Sequence, residues 1–340
     1  MILRSMTTLS CLTLLASGTA LATPIPQESG ISGYVGFGAA SSKLESNMIH
    51  GTSLTDFDNK RAKNLTSSPS SESDSSGFFT GEIRYTWADT RTQVFVGNTM
   101  IDALRYDAAT LIGVRQEVGN SGTIGAAYML SSFPIQVWKD PYQTGVKRSD
   151  TDQTSDGVLL SWDGILGSNF DGQISFRDVD VDDEFSGTAL GLSAANRNLL
   201  KRDGDDTSSE LLYRWKIADG HTLIPALRYT DRDRDGGAMR SEDTGVQLGY
   251  LYSGSSQWNL KAHLYAGSEE FDKHNPISAF GFKKRDDDIV GANVTAFYNE
   301  PMGWKDWRVM AAATSYESDS NIDFYDSKVQ SFTLGMLYNF

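Results

Sequence analysis

Apolar and polar residues alternate with a period of two from Ile31 to the end of the chain, in segments of about ten residues. This period is typical of β-strands that have one apolar and one polar face. In the last segment, five apolar residues share one face: Phe332, Leu334, Met336, Tyr338 and Phe340. Leu337 is the apolar exception on the opposite face. The pattern predicts about fourteen strands, within roughly 12 to 16: 31–39, 77–87, 92–98, 109–117, 123–130, 157–163, 170–178, 207–216, 222–230, 243–252, 257–266, 288–299, 306–315 and 328–340.

The connections between these segments alternate in length. Short connections of turn-forming composition lie near 88–90, 119–122, 164–169, 218–220, 253–255 and 301–303. Long connections, which hold most of the charged residues, occupy 40–76, 99–108, 131–156, 179–206, 231–242, 267–287 and 316–327. Short periplasmic turns and long outer loops are typical of outer-membrane barrels, whereas a soluble β-sandwich has no physical reason to place all its long loops at one end. The predicted fold is therefore all-β, a transmembrane antiparallel up-and-down β-barrel.

Tryptophan gives independent support, because indole rings prefer the interface between membrane and water. Six of the seven tryptophans lie beside short connections: Trp87, Trp162, Trp215, Trp258, Trp304 and Trp307. Only Trp138 lies in a long loop. Pro225 departs from strand chemistry within 222–230, which a β-sheet tolerates where the missing N–H coincides with a bulge or a gap in the ladder.

The start of the chain has the features of a secretory signal. Arg4 precedes an apolar stretch from Leu9 to Ala22 that ends in a small-x-small site of the kind that signal peptidase cuts. We therefore predict a signal peptide at 1–22 and a barrel at 23–340. The predicted location is the outer membrane of a Gram-negative bacterium.

Composition restricts the partners and the chemistry. Cys11 is the only cysteine and belongs to the predicted signal, so no disulfide is expected. After the signal, no run of 18 or more apolar residues is present to form a spanning helix. The formal net charge of −14 argues against a nucleic-acid partner and favours cations over anions inside the barrel. The predicted partners are membrane lipid and lipopolysaccharide, the barrel assembly machinery through the C-terminal Phe340, and a small solute.

Several short strings resemble a known family. They are Pro24-Ile25-Pro26, Glu45-Ser46-Asn47-Met48, Val137-Trp138-Lys139-Asp140-Pro141-Tyr142, Ile165-Leu166-Gly167-Ser168-Asn169-Phe170, Leu211-Leu212-Tyr213-Arg214 and Asn321-Ile322-Asp323-Phe324-Tyr325-Asp326. Together, and in this order, they are similar to outer-membrane proteins of the family called domain of unknown function 2860. The resemblance covers the chain after the signal and implies a location, but fold-level analogy supplies no substrate and no site.

The polar faces of the strands predict a set of residues that line the lumen: Glu82, Arg84, Arg177, Glu210, Arg214, Lys261 and His263. Such residues either line a water-filled path or pack against a loop that plugs the barrel. Glu82 with Arg84, and Glu210 with Arg214, are candidates for ion pairs that stiffen the wall.

Two features of the long loops suggest binding. Asp231, Asp233, Asp235 and Glu242, with Gly236, have the spacing of a calcium-binding EF-hand loop, although the flanking strands and two arginines argue against calcium. A solvated loop of paired acids and bases is the alternative, and no other cofactor is predicted. A second group, Trp138, Pro141 and Tyr142, would either contact an outside partner or fold back as a plug.

The sequence contains four histidines and no recognised nucleophile motif beside them, so no enzyme is predicted. The favoured function is a porin-like or substrate-selective passive channel. The alternative is a plugged surface receptor, adhesin or structural barrel that acts through its outer loops.

Overall fold

The computed structural model describes residues 24–52, 54–55, 57–105 and 107–340, so the predicted signal peptide lies outside the described residues. Within these ranges the chain forms seventeen strands: β1 (Gly30–Glu45), β2 (Ile49–Thr52), β3 (Ser71–Trp87), β4 (Thr92–Asp102), β5 (Asp107–Glu117), β6 (Thr123–Ser131), β7 (Ile135–Trp138), β8 (Asp150–Asp163), β9 (Phe170–Val181), β10 (Gly204–Tyr213), β11 (Trp215–Ala218), β12 (His221–Arg234), β13 (Ser241–Tyr252), β14 (Trp258–His274), β15 (Lys284–Asn299), β16 (Trp307–Ser320) and β17 (Ser327–Asn339). The one described α-helix, α1, is Ala194–Asn198, and short 3-10 turns cover Gly119–Ser121, Ile165–Gly167, Ser278–Phe280, Pro301–Gly303 and Asp323–Tyr325.

The strands close into one antiparallel barrel. β1 pairs with β17 from Tyr34↔Asn339 to Glu45↔Lys328, which joins the first strand to the last. β10 and β11 both pair with β12 and together form one wall strand, while β2 and β7 pair with each other inside the loops. The wall therefore has fourteen strands in the described chain, which confirms the predicted fold class.

The period-two alternation places apolar side chains outside and mostly polar ones inside. Ile31, Leu334 and Leu264 are more than half exposed on the outer face, as the outer wall of a membrane barrel requires. Leu337, the exception in the sequence pattern, points inward and is fully buried, packed with Tyr34, Phe297 and Met310. One side of the lumen is therefore filled by an apolar cluster rather than by water.

The two ends of the barrel differ as the sequence predicts. Trp87, Trp215 and Trp258 are about half exposed at the end with the short turns, where the predicted aromatic girdle lies. Pro225 lies opposite Leu248, close to the break between β10 and β11 at Arg214, so its missing N–H coincides with a gap in the ladder. Among the described residues, no helix is long and apolar enough to cross a bilayer.

Six of the seven outer loops meet in a shared apolar cluster, which we call the cap. Its buried residues are Ala62, Tyr142, Leu200, Ala238, Ile277, Phe280, Ile322, Phe324 and Tyr325. Tyr142 and Tyr325 share a hydrogen bond of 2.8 Å between their hydroxyls, and the amide of Asn275 donates to the Tyr325 hydroxyl at 2.7 Å. Because these residues come from six separate loops, the cap covers the outer mouth of the barrel.

Candidate functional site in the barrel interior

The remaining outer loop joins β4 to β5, and its described residues, 103–105, turn into the lumen. Its entry is fixed by Asp102, whose carboxylate accepts from the backbone N–H of Leu104 at 2.9 Å and from the guanidinium of Arg105 at 2.7 Å. Leu104 then packs into a buried cluster with Phe57 and Tyr265. A short loop held by its own acid can therefore present one arginine to the middle of the barrel.

Arg105 reaches the far wall. Its guanidinium donates to both oxygens of the Glu269 carboxylate on β14, at 2.8 and 3.1 Å. Glu269 is almost fully buried and also accepts from Arg232 at 3.2 Å and from the Ser241 hydroxyl at 2.7 Å. Both bonds from Arg105 come from one nitrogen, Nη2, and charge-assisted hydrogen bonds of this kind are stronger than neutral ones. We call Asp102, Leu104, Arg105, Arg232 and Glu269 the crossbar.

The position of the crossbar follows from the strand order. Five wall strands separate β4 from β14 in one direction around the barrel and seven in the other. The contact between Arg105 and Glu269 therefore crosses the lumen rather than following the wall. An axial path through the barrel must pass the crossbar.

Two cavities flank the crossbar. The main cavity, about 270 Å³, is lined by apolar side chains such as Phe78, Met100 and Tyr316 and by charged side chains of both signs, among them Arg177, Arg228, Asp206 and Asp243. A smaller cavity of about 140 Å³ lies next to residues of the cap and of β7. Leu104, Arg105, Arg232 and Ile289 line both cavities. The main cavity is just below the range of roughly 300–1,000 Å³ that is usual for small-molecule sites.

The predicted lumen residues do lie on the inner face, but some have other partners than expected. Glu82 pairs with Arg84 as predicted. Glu210 pairs with Arg228 at 3.2 Å, and Arg214 pairs with Asp171 at 2.6 Å, so the predicted pair between Glu210 and Arg214 is wrong. Arg214 lies in the gap between β10 and β11, where its strand is interrupted.

The remaining three predicted lumen residues lie on two strands. Arg177 is buried on β9 and pairs with Asp107, and with Asp206 at 3.7 Å. Lys261 and His263 lie on the inner face of β14, in alternation with the exposed Leu264.

Trp138, Pro141 and Tyr142 are buried, so their interpretation as exposed contact residues is wrong. Trp138 lies on β7. The centre of its ring is 4.6 Å from the centre of the His50 ring, and the guanidinium of Arg148 lies 4.2 Å from the Trp138 ring. The physical reason is that β7 pairs with β2, which draws both loops over the mouth. The three side chains are buried among the outer loops instead of facing an outside partner.

Arg148 ties these loops together. Its guanidinium donates to the backbone carbonyls of Asn47, Pro141 and Asn59 at 2.8, 3.1 and 2.7 Å. Burial lowers the pKa of Arg148 to about 9, which leaves the side chain protonated at neutral pH. A buried cation bound by carbonyls is costly to displace, so it fixes the fold of the loops.

The predicted calcium loop is a β-hairpin. Asp231 and Asp233 lie on β12, and Asp231 is the cross-strand partner of Glu242 on β13. Asp233 pairs with Arg240 at 2.7 Å, and Asp235 is exposed at the tip. An EF-hand needs a curled loop whose ligands converge, so this interpretation is wrong. Among the described residues, no group of three or more acidic, histidine or cysteine side chains is arranged to hold a metal.

Sequence analysis missed the crossbar. Residues 99–108 were predicted as an outer loop, whereas β4 extends to Asp102 and β5 begins at Asp107. The one local signal for the crossbar is the spacing of Asp102 and Arg105, which lie three residues apart and form an ion pair. Nothing local indicates Glu269 as the partner, because it lies 164 residues further along the chain.

Comparison with known proteins gives one family and a set of similar barrels. The family model described as "Protein of unknown function (DUF2860)" matches residues 30–339. None of the curated proteins matches the chain. Among solved structures, the chain is similar to the outer-membrane channel DcaP of Acinetobacter baumannii, at 11% identity and a TM-score of 0.45 over 92% of this chain and 97% of that one. It is also similar to a FadL homologue of Pseudomonas aeruginosa, at 11% identity and a TM-score of 0.45 over 91% and 90% of the two chains.

Proposed function

We propose that this chain, which belongs to the DUF2860 family, is a substrate-selective passive channel of the outer membrane that is closed at its crossbar. The single observation that carries the proposal is the contact of Arg105 with Glu269, which divides the interior into two cavities. The apolar outer face, the aromatic girdle and the loop asymmetry support the membrane location.

An open general porin fits this interior less well. Its lumen would be water-filled, whereas here an apolar cluster, the crossbar and the cap occupy successive levels. A purely structural barrel fits less well for another reason. The contact of Arg105 with Glu269 joins the tip of the β4–β5 hairpin to the opposite wall by side chains alone, and a loop tip held in this way is the kind of element that moves in gating.

Single-channel recording in planar bilayers tests the proposal. Wild-type protein is expected to give rare, brief openings, because the crossbar blocks the axial path. The Arg105→Ala variant removes the bond to Glu269, and the time spent open should rise at least about tenfold, since a loss of about 1.4 kcal/mol already changes an equilibrium by that factor. Lys216→Ala is the matched control, because Lys216 is an exposed cation at the periplasmic end and pairs only with the exposed Asp219.

Two outcomes distinguish the hypotheses. A rise in open time in Arg105→Ala, with the control unchanged, supports a channel gated at the crossbar. Silence of all three proteins, while each still shows the gel shift on heating that marks a folded barrel, overturns the channel proposal and favours the plugged structural barrel.

A further inference from the structure

The two edges of β3 are paired very differently. On one edge, β3 pairs with β1 over its whole length, from Gly30↔Thr86 to Glu45↔Ser71. On the other edge, the ladder with β4 runs only from Trp87↔Thr92 to Glu82↔Gly97. Beyond that point β4 continues to pair with β5, as far as Asp102↔Asp107. The outer halves of β3 and β4 therefore part from each other while each keeps its other neighbour.

Side chains partly replace the missing ladder. The side-chain oxygen of Asn98 accepts from the backbone N–H of Gly81 at 2.8 Å and from the Thr80 hydroxyl at 3.1 Å. Continuing the register would bring Phe79 opposite Met100, but the described ladder stops before them. We call the region between 76–80 and 98–102 the seam.

The main cavity opens into the seam. Its lining includes residues of both seam edges, Ser76–Thr80 and Asn98–Asp102, and continues to Tyr265 and Val329 deep inside. Phe79, which belongs to this lining, points outward and is 66% exposed. The same cavity therefore has walls both in the lumen and on the outer face of the barrel.

The seam lies against lipid. Phe79 pairs with Phe37 of β1, which is also more than half exposed on the outer face. Towards the outer end of β3 the outward residues become Ser75, Ser73 and Ser71, so Phe79 lies near the outer limit of the apolar belt. Backbone groups of a strand edge without partners are costly in hydrocarbon, because no water is there to bond with them. A continuous ladder between β3 and β4 would avoid this cost, so we expect the gap to serve a function.

We infer that the seam is a lateral opening through which an amphipathic molecule with a hydrocarbon chain passes between the main cavity and the outer leaflet of the membrane. The hydrocarbon chain would lie against Phe78, Met100 and Tyr316, and the polar end near Arg177 and Arg228. The cap closes the mouth above, so the seam is the exit that matches an apolar solute. The inference rests on the proposed function, because it names the substrate class of that channel.

The test locks the seam in the full-length protein. The double variant Phe79→Cys/Met100→Cys is treated with a short thiol-reactive cross-linker that forms a disulfide with each cysteine. The treatment is done in vesicles that contain a fluorescent long-chain fatty acid. Cross-linking should reduce binding of the fatty acid at least tenfold, and reduction of the link should restore it. The control pair Val246→Cys/Ala266→Cys joins two outward residues across the complete β13–β14 ladder and should leave binding unchanged.

Reversal on reduction excludes a folding defect. If the link does not form, the single variant Met100→Trp fills the same opening and should reduce binding by a similar factor. Full binding in the locked or filled protein overturns the inference. Ion conductance of Arg105→Ala, measured with the seam locked, separates the two proposals. If the protein conducts and still binds the fatty acid fully, the axial channel is supported and the lateral opening is overturned. If the protein is silent and binding is blocked, the lateral opening is supported and the axial channel is overturned.

Discussion

The outer mouth and the seam are closed in opposite ways. At the mouth, six loops bury a continuous apolar cluster and add a hydrogen bond between two tyrosines, Tyr142 and Tyr325. At the seam, two neighbouring strands lose their ladder, and Asn98 is the side chain that bridges them. The mouth, where water would enter, is closed by a packed apolar cluster, whereas the seam, which faces lipid, is bridged by few contacts.

A barrel built in this way can separate an axial route for water and ions from a lateral route for apolar molecules. Water and ions must pass the cap and the crossbar, both of which depend on buried contacts between distant parts of the chain. An apolar molecule needs only the parting of two strand edges that already lack a ladder.

Phe324→Ala should weaken the mouth most. Phe324 is fully buried in the cap, between Tyr142 and Phe280, and its loss leaves a cavity. The free energy of unfolding should fall by about 3–5 kcal/mol. Urea unfolding in phospholipid vesicles measures this change, with Leu166→Ala, an exposed residue at the periplasmic end, as control. A loss no larger than that of the control would mean that the cap is not packed.

Glu269→Gln should break the crossbar. The neutral amide removes the buried carboxylate that Arg105 and Arg232 share, so that, among the described residues, only Asp102 and Asp243 still pair with them, and breaking a buried pair costs about 3 kcal/mol. The same unfolding experiment detects the loss, and the open time in bilayers should rise as in Arg105→Ala. A stable variant that stays closed would contradict the role given to this contact.

Asn98→Ala should loosen the seam without affecting the mouth. The backbone N–H of Gly81 and the hydroxyl of Thr80 lose their acceptor, which costs about 1–2 kcal/mol. Release of a bound fluorescent fatty acid to vesicles should become faster, while proteolysis of the outer loops should not change. Slower release would show that Asn98 helps to hold the seam apart.

Tyr142→Phe should have the smallest effect. The variant keeps the ring of Tyr142 in the cap and removes only its hydroxyl, which is bonded to Tyr325 at 2.8 Å. Asn275 still donates to Tyr325, so the loss should be about 1 kcal/mol. Thermal unfolding measures it. A loss as large as that of Phe324→Ala would assign the stability of the cap to hydrogen bonding rather than to packing.

The wall could be predicted from the sequence because its signal is local. Alternation places Phe332 and Leu334 outside within a single strand, and each short turn carries its own composition. Trp87 and Trp258 identify the periplasmic end for the same reason. Leu337 broke the pattern because its partners Tyr34 and Phe297 lie on other strands, and alternation within one strand carries no information about them.

The interior could not be predicted in this way. The burial of Trp138 depends on the pairing of β7 with β2, and the contact of Arg105 with Glu269 joins residues far apart in sequence. The seam is hidden for another reason. Phe79 and Met100 each belong to a strand, and the length of the ladder between two strands is not encoded in the alternation of either one.

Dipolar broadening between spin labels at Phe79→Cys and Met100→Cys in lipid nanodiscs measures whether this barrel, closed at the mouth, is open at the side. Labels at Val246→Cys and Ala266→Cys provide the reference for a complete ladder, where facing Cα atoms are about 4.5–5.5 Å apart. Broadening should be clearly weaker across the seam than across the reference pair, because the ladder between β3 and β4 ends before Phe79 and Met100. Equal broadening would mean that β3 and β4 are zipped together in the membrane, and the lateral opening would not exist.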